Sequence, residues 1–135
     1  GVYGYLYNFY AISDTRNVCP LGWHVPTLDQ FNTMIDYLGG IIEADTKIRE
    51  QGQIHWIFNT GATNSTGLTV LPAGARESNG DLGGTGWAAH LWTSSLTTDP
   101  GSYGPMNIGM GWDRPQLFIN PYSMKYGSSI RCIKD

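Results

Sequence analysis

Leu28, Phe31, Met34, Ile35 and Leu38 recur at intervals of three and four residues, which puts them on one side of an amphipathic helix. Thr27 precedes them as a cap and Gln30 follows it by three, the capping-box spacing, while Gly39-Gly40 supplies a stop. The pattern therefore predicts a helix from Pro26-Thr27 to the paired glycines. A second, shorter helix is expected from about Ile42 to Gln51, with Ala44 and Ile48 turned inward. Upstream, Tyr3, Tyr5, Tyr7 and Phe9 occupy every second position, the period of a strand with one buried face.

Beyond Gly52 the helical period disappears. "NTGATNSTGLTVLPAGARESNGDLGGTG" is turn chemistry almost throughout, broken by one apolar run from Leu68 to Leu71. "WAAHLWTSS", with Trp87 and Trp92 near its ends, reads as a strand. "PQLFINP" and "SSIRCIKD" read as two more, separated by Pro121 and Gly127. Helices early and short strands late predict an α+β fold, with two N-terminal helices and a loop-rich, antiparallel C-terminal half. At 135 residues, without repeat or linker, residues 1–135 read as a single domain. The chain does not start with Met, which points to a processed product or a part of something longer.

Composition sharpens this picture. Charged residues are 14% of the chain, against about 25% in ordinary soluble domains. Eighteen glycines and 13% aromatic residues describe long loops pinned by rings rather than disorder. A net charge of −3 with scattered Lys and Arg argues against nucleic acid, which needs clustered cations. No apolar stretch is long enough to span a membrane, and "GVYGYLYNFY" lacks the form of a signal peptide.

Candidate chemistry is thin. His90 precedes "TSS" (Thr93 to Ser95), but there is no nucleophile elbow and no paired carboxylates. "GDLGGTG" lacks the Lys-Ser/Thr ending of a phosphate loop. Glu77 to Asp81, "ESNGD", puts oxygen ligands on a tight turn and is the candidate for a weak Ca²⁺ site; no other cofactor is expected. His24, in "GWHVP", reads as a hydrogen-bonded core residue beside Trp23. Cys19 and Cys132 are either two buried thiols or a disulfide closing the chain's ends; the disulfide is the expectation adopted for a surface domain.

The residues left over are large rings, two amides and one carboxylate on irregular backbone: Tyr103, Asn107, Trp112, Asp113, Phe118, Asn120 and Tyr122. Rings supply contact area at low entropy cost and amides supply adaptable hydrogen bonds, a combination used by binding loops. These seven are the expected ligand-binding set, and no catalytic residue is assigned.

"YGYLYNFYA", "CPLGWHVPT", "LPAGAR", "WTSS" and "GSSIRCIKD" follow one another in an order that resembles the Fibrobacter succinogenes major paralogous domain family. The resemblance covers nearly the whole chain. It implies a C-type-lectin-like fold related to formylglycine-generating enzymes, found in surface or secreted bacterial proteins. Cys19 and Cys132 match the family's cysteines; Trp23, His24 and Pro26 match its scaffold motif, Gly74 and Arg76 its Pro-x-Gly-x-Arg turn, and Trp92 its Trp-Ser-Ser tryptophan. Leu68 and Ala75 stand where the family usually has rings. The copper-binding cysteine pair of the enzymes and the Glu-Pro-Asn and Trp-Asn-Asp signatures of sugar-binding lectins have no counterpart here. Residues 87–126 also resemble the variable stretch of diversity-generating-retroelement target proteins. The resulting expectation is a non-enzymatic display module on a cell surface, virion or tail fibre, binding a protein or glycan on another cell. The alternative is a decoration or cap domain of a fibre, pilus or capsid, with homo-oligomerisation as its mark.

Overall fold

The computed structural model describes residues 1–59 and 61–135. Its elements run α1 (Phe9–Ile12), β1 (Trp23–His24), α2 (Leu28–Leu38), α3 (Ile41–Ile48), β2 (Ala75–Arg76), β3 (Leu82–Gly83), β4 (Ala88–Leu96), β5 (Pro105–Gly111), β6 (Phe118–Pro121) and β7 (Ile133–Lys134). This is the expected α+β fold, helices first and antiparallel sheets after. No helix is long and apolar enough to cross a membrane among the described residues.

Helix α2 forms where local chemistry asks for it. Thr27 Oγ1 accepts the Gln30 N–H at 3.2 Å, and Gln30 Oε1 accepts the Thr27 N–H at 2.9 Å, closing a capping box. At the other end Gly39, at φ 104°, turns the chain; its N–H and that of Gly40 bond to the carbonyls of Asp36 and Ile35, a Schellman ending. Helix α3 follows directly and buries Ala44, Asp45 and Ile48. Its last carbonyls are capped by the following loop, through Thr63 N–H on Thr46 O and Thr66 N–H on Lys47 O.

The centre is the antiparallel sheet β4-β5-β6. Cross-strand partners share a face, so the register sorts the side chains into two sets. Leu91, Ile108 and Ile119 are aligned on one face, with Ala89 and Met110 beside them. This face packs on Phe31, Ile35, Leu38, Ala44 and Ile48 of the helices, together with Trp56 and Val70. The opposite face carries His90, Trp92, Asn107 and Phe118. It is covered by Phe9, Ala75 and Tyr126. Trp92 is fully buried there and donates its indole N–H to Tyr7 O at 2.7 Å. Ser128 and Ser129 line the outer edge of β4, where Ser129 exchanges backbone bonds with His90 and Trp92.

The structure corrects the expected N-terminal strand and adds a strand that was not expected. The N-terminal rings do not form a strand: only Tyr7 pairs, with Ser128, and Phe9 opens a one-turn helix capped by Asn8. Gly4 at φ 74° breaks the extended path, and Tyr5 points to solvent. The added strand is β5. Its "PMNIGMG" looks like turn sequence, yet it is the middle strand. Gly109 is required there because the Phe118 ring fills the space its side chain would occupy. "SSIRCIKD" is likewise shorter as a strand than expected, pairing continuously only through Ile133 and Lys134.

Cys19 and Cys132 form the expected disulfide, with Cα atoms 5.9 Å apart and a sequence separation of 113. It lies next to the β1–β7 pairing of Trp23 with Lys134 and His24 with Ile133, so one end of the molecule closes on itself. His24 is on the surface rather than in the core. Its Nδ1 lies 2.6 Å from Asp135 Oδ1 and its Nε2 3.2 Å from Gln30 Oε1. Trp23 is exposed beside it.

Replacing both cysteines with Ser should lower stability by about 2–5 kcal/mol, the range for removing a native disulfide. Thermal unfolding with and without reductant checks this; an unchanged midpoint on reduction would contradict the pairing. The two histidines predict opposite pH effects. Hydrogen bonding to Asp135, then to Gln30, raises the His24 pKa, so its contribution is complete below about pH 6.5 and is lost as pH rises through the raised value. Burial lowers the His90 pKa, with Asn107 opposing weakly, so its contribution is complete above about pH 6.5 and is lost on acidification. A His24→Gln variant should therefore lose stability more steeply than the parent between neutral and mildly acid pH. NMR should find His24 titrating above His90; the reverse order would refute both assignments.

Candidate functional site

The seven ring and amide residues do not converge. Tyr103, 90% exposed, sits in the β4–β5 loop. Asn120 is exposed on β6 and Tyr122 follows it, its N–H on Pro105 O, all toward that same end of the sheet. Tyr122 is stacked on Tyr126 at 4.6 Å and edge-on to His90, and Phe118 meets His90 at 5.9 Å. These rings wall in a histidine more than they face solvent. Asn107 is not at the surface at all: it is fully buried in β5 and donates to Ser128 Oγ at 2.9 Å. Its position in the middle strand removes it from any contact surface.

Trp112 and Asp113 lie at the opposite end, just after β5, and there the chain builds a different constellation. Trp112 meets Trp87 at 5.3 Å and Phe58 at 5.4 Å, and Phe58 meets Trp87 at 5.9 Å. The exposures are 49%, 38% and 49% for Trp112, Trp87 and Phe58, so all three residues reach solvent. Each arrives on a separately fixed segment. Trp87 enters β4 from the turn at Gly84, whose carbonyl accepts its N–H. The loop bearing Phe58 is held by Ile57 N–H on Gly86 O. Gly86 at φ 84° brings its backbone against Ile57, where a side chain would press on Cδ1.

Beneath Phe58 and Trp112 is a small pocket of about 30 Å³, with Asp45, Thr46, Arg49, Ala62 and Pro115 completing its wall. Asp45 and Arg49 are buried, 1% and 3% exposed. Arg49 Nη2 donates to Asp45 Oδ1 at 2.8 Å, to Oδ2 at 2.9 Å and to Gly111 O at 3.1 Å. Its guanidinium lies 4.1 Å above the Trp56 ring, an arrangement that favours a cation. Arg49 Nε is buried without a partner among the described residues. An unmade buried bond of that kind costs about 1–3 kcal/mol. Burial raises the Asp45 pKa, and Arg49 opposes it through hydrogen bonding and charge.

The other candidates resolve differently. The hydroxyls of "TSS" serve the backbone: Thr93 Oγ1 donates to Met106 O, and Ser95 Oγ accepts from Leu28 N–H. His90 Nδ1 and Asn107 Oδ1 are buried on the same sheet face, among rings, without partners among the described residues. In "ESNGD" the Asp81 carboxylate accepts from Asn79, and Arg76 reaches the Gly80 carbonyl. No group of three or more His, Cys, Asp or Glu is placed to hold a metal ion among the described residues.

Phe58, Asp45 and Arg49 were not singled out from the sequence, and Trp87 was read there only as one end of a strand. A ring next to a turn glycine, as in "GTGW", is the only local signal for Trp87, and Asp45/Arg49 is an ordinary i,i+4 helix pair until burial is known.

No curated protein and no solved structure matches this chain. The Fibrobacter succinogenes major domain, by contrast, matches residues 1–134, all but the last residue. A match of that extent takes in the disulfide, the helices and the central sheet together, and the chain belongs to the Fibrobacter succinogenes major domain family.

Proposed function

We propose that this domain is a non-enzymatic ligand-binding display module of a bacterial cell surface or virion, with the Phe58–Trp87–Trp112 patch as its contact surface. The observation that carries the reading is the half-exposed ring cluster fixed on three separate segments over a buried ion pair. Large rings gathered into one exposed patch mark interaction sites, and Trp and Arg dominate binding energy where they occur in contacts. Asp113 and Arg114, exposed at the rim, add polar specificity.

A C-type-lectin-like arrangement belongs to the same reading. Its support is the closure of both termini at one side by the disulfide and β1–β7, with loops at the ends of the central sheet. Kinship with retroelement-diversified proteins is the finer part of the proposal, and Trp87, Trp112 and Asp113 fall in residues 87–126. The partner is a protein or glycan of another cell. A decoration or cap role is favoured by one feature: Ile57, exposed next to Phe58, enlarges the patch toward a size that a second copy could cover.

The Trp87→Ala/Trp112→Ala variant should lose binding to target cells by at least tenfold while its unfolding midpoint stays within a few degrees of the parent's. Cell-binding assays with labelled protein and thermal unfolding check this together. Undiminished binding would remove the patch from the function, and a stable dimer that dissociates on the double substitution would favour assembly instead.

A further inference from the structure

We infer that the cleft between the N-terminal rings and the segment 128–131 binds an extended peptide, which adds a strand along Ile130 and sets an acidic side chain against Arg131. The cleft shares no residue with the Phe58–Trp87–Trp112 patch and does not depend on the reading of that patch.

The backbone decides the class of ligand. Tyr7 and Ser128 exchange both of their backbone hydrogen bonds, at 2.8 and 3.0 Å, as an antiparallel pair. Ser129 turns its own N–H and C=O the other way, onto His90 and Trp92 of β4. The alternation of an extended chain brings Ile130 back to the side of Ser128. There the next rung of the ladder would join it to Tyr5. That rung is not made: Gly4, at φ 74°, carries the chain away. Neither Tyr5 nor Ile130 has a backbone hydrogen-bond partner among the described residues. Two segments thus begin as a strand pair and then part, and the donor and acceptor of Ile130 face a gap.

The gap is a cleft of about 370 Å³, within the range of about 300–1,000 Å³ typical of ligand pockets. Tyr3 and Tyr5 line it from the N-terminal segment, and Ile130 and Arg131 from the other. Val70 and Leu91, both buried, add an apolar surface. Unpaired strand backbone beside a pocket is the arrangement by which proteins take up extended peptides. Main-chain bonds supply affinity there, and alternate side chains supply specificity. A peptide carries a donor and an acceptor on each residue, so it can supply the rung that Tyr5 does not. Val70 and Leu91 suit one aliphatic side chain. Arg131 sets the charge: it is exposed, and among the described residues its guanidinium reaches Thr69 O alone, at 3.4 Å. That leaves its fork open to a carboxylate, which it binds through two parallel bonds.

The test selects phage-displayed random heptapeptides on the intact domain and measures the enriched sequences as acetylated, amidated peptides. They should hold an acidic residue close to an aliphatic one, and should slow hydrogen exchange of the Ile130 amide at least tenfold. N-methylation of alternate peptide amides should abolish binding in one alternation and spare it in the other, because a single row faces Ile130. Arg131→Glu should weaken binding at least tenfold with an unchanged unfolding midpoint. Exchanging the peptide's acidic residue for Lys should restore binding to that variant. Failure to enrich any peptide overturns the inference. So does a peptide that binds Arg131→Glu as well as the parent, or one that leaves exchange at Ile130 unaltered. A peptide lost in the Trp87→Ala/Trp112→Ala variant but kept by Arg131→Glu is a ligand of the ring patch, which refutes the cleft and supports the patch.

Discussion

A guanidinium shut away from water depends on hydrogen bonds inside the protein, and Arg49 makes three through Nη2, two to Asp45 and one to the carbonyl of Gly111. The contacts to Asp45 lie within the helical turn that ends α3; the one to Gly111 reaches the last residue of β5. One side chain thus ties the helical layer to the end of the central sheet, at the point where the chain turns out to Trp112. Such a pair contributes little net stability, because desolvation offsets most of the attraction. Its effect is positional: removing either partner would strand a buried charge, at a cost of about 3–5 kcal/mol. Phe58 and Trp112 can then stand half in water without drifting, since the backbone beneath them is held.

The same logic divides the molecule into two ends. At one, the disulfide, the β1–β7 pairing and the His24–Asp135 contact close the termini. Between the ends, the sheet is packed on both faces, by α2 and α3 on one side and by Phe9, Trp92 and Tyr126 on the other. A sheet covered on both faces has few places left for a ligand except its ends and loops. The ring patch occupies one such end.

Legibility in the sequence followed the range of the interactions. Helix α2 was readable because its cap, its apolar stripe and its glycine stop all lie within a few residues of one another. Strand β4 was readable from "WAAHLWTSS". Strand β5 was not, because Asn107, Gly109 and Gly111 carry turn chemistry, and only the approach of Phe118 from another strand explains a glycine in mid-sheet. The N-terminal rings misled for the opposite reason: their period was that of a strand, while Gly4 and the Asn8 cap bent the chain away. The site divided in the same way. Trp112 and Asp113 stood out by composition, but Phe58 and Trp87 reach them across long stretches of chain. Asn107 had the composition of a contact residue and the position of a core one.

The central claim is that contact is made at the Trp112 end and not at the Tyr103 end, and the molecule carries its own control. Hydroxyl-radical footprinting of the domain on target cells, compared with the free domain, reads every exposed ring at once. Phe58, Trp87 and Trp112 should become protected, while Tyr103, 90% exposed, keeps its reactivity. Protection of Tyr103 with Trp112 still oxidised as in the free domain would contradict the account.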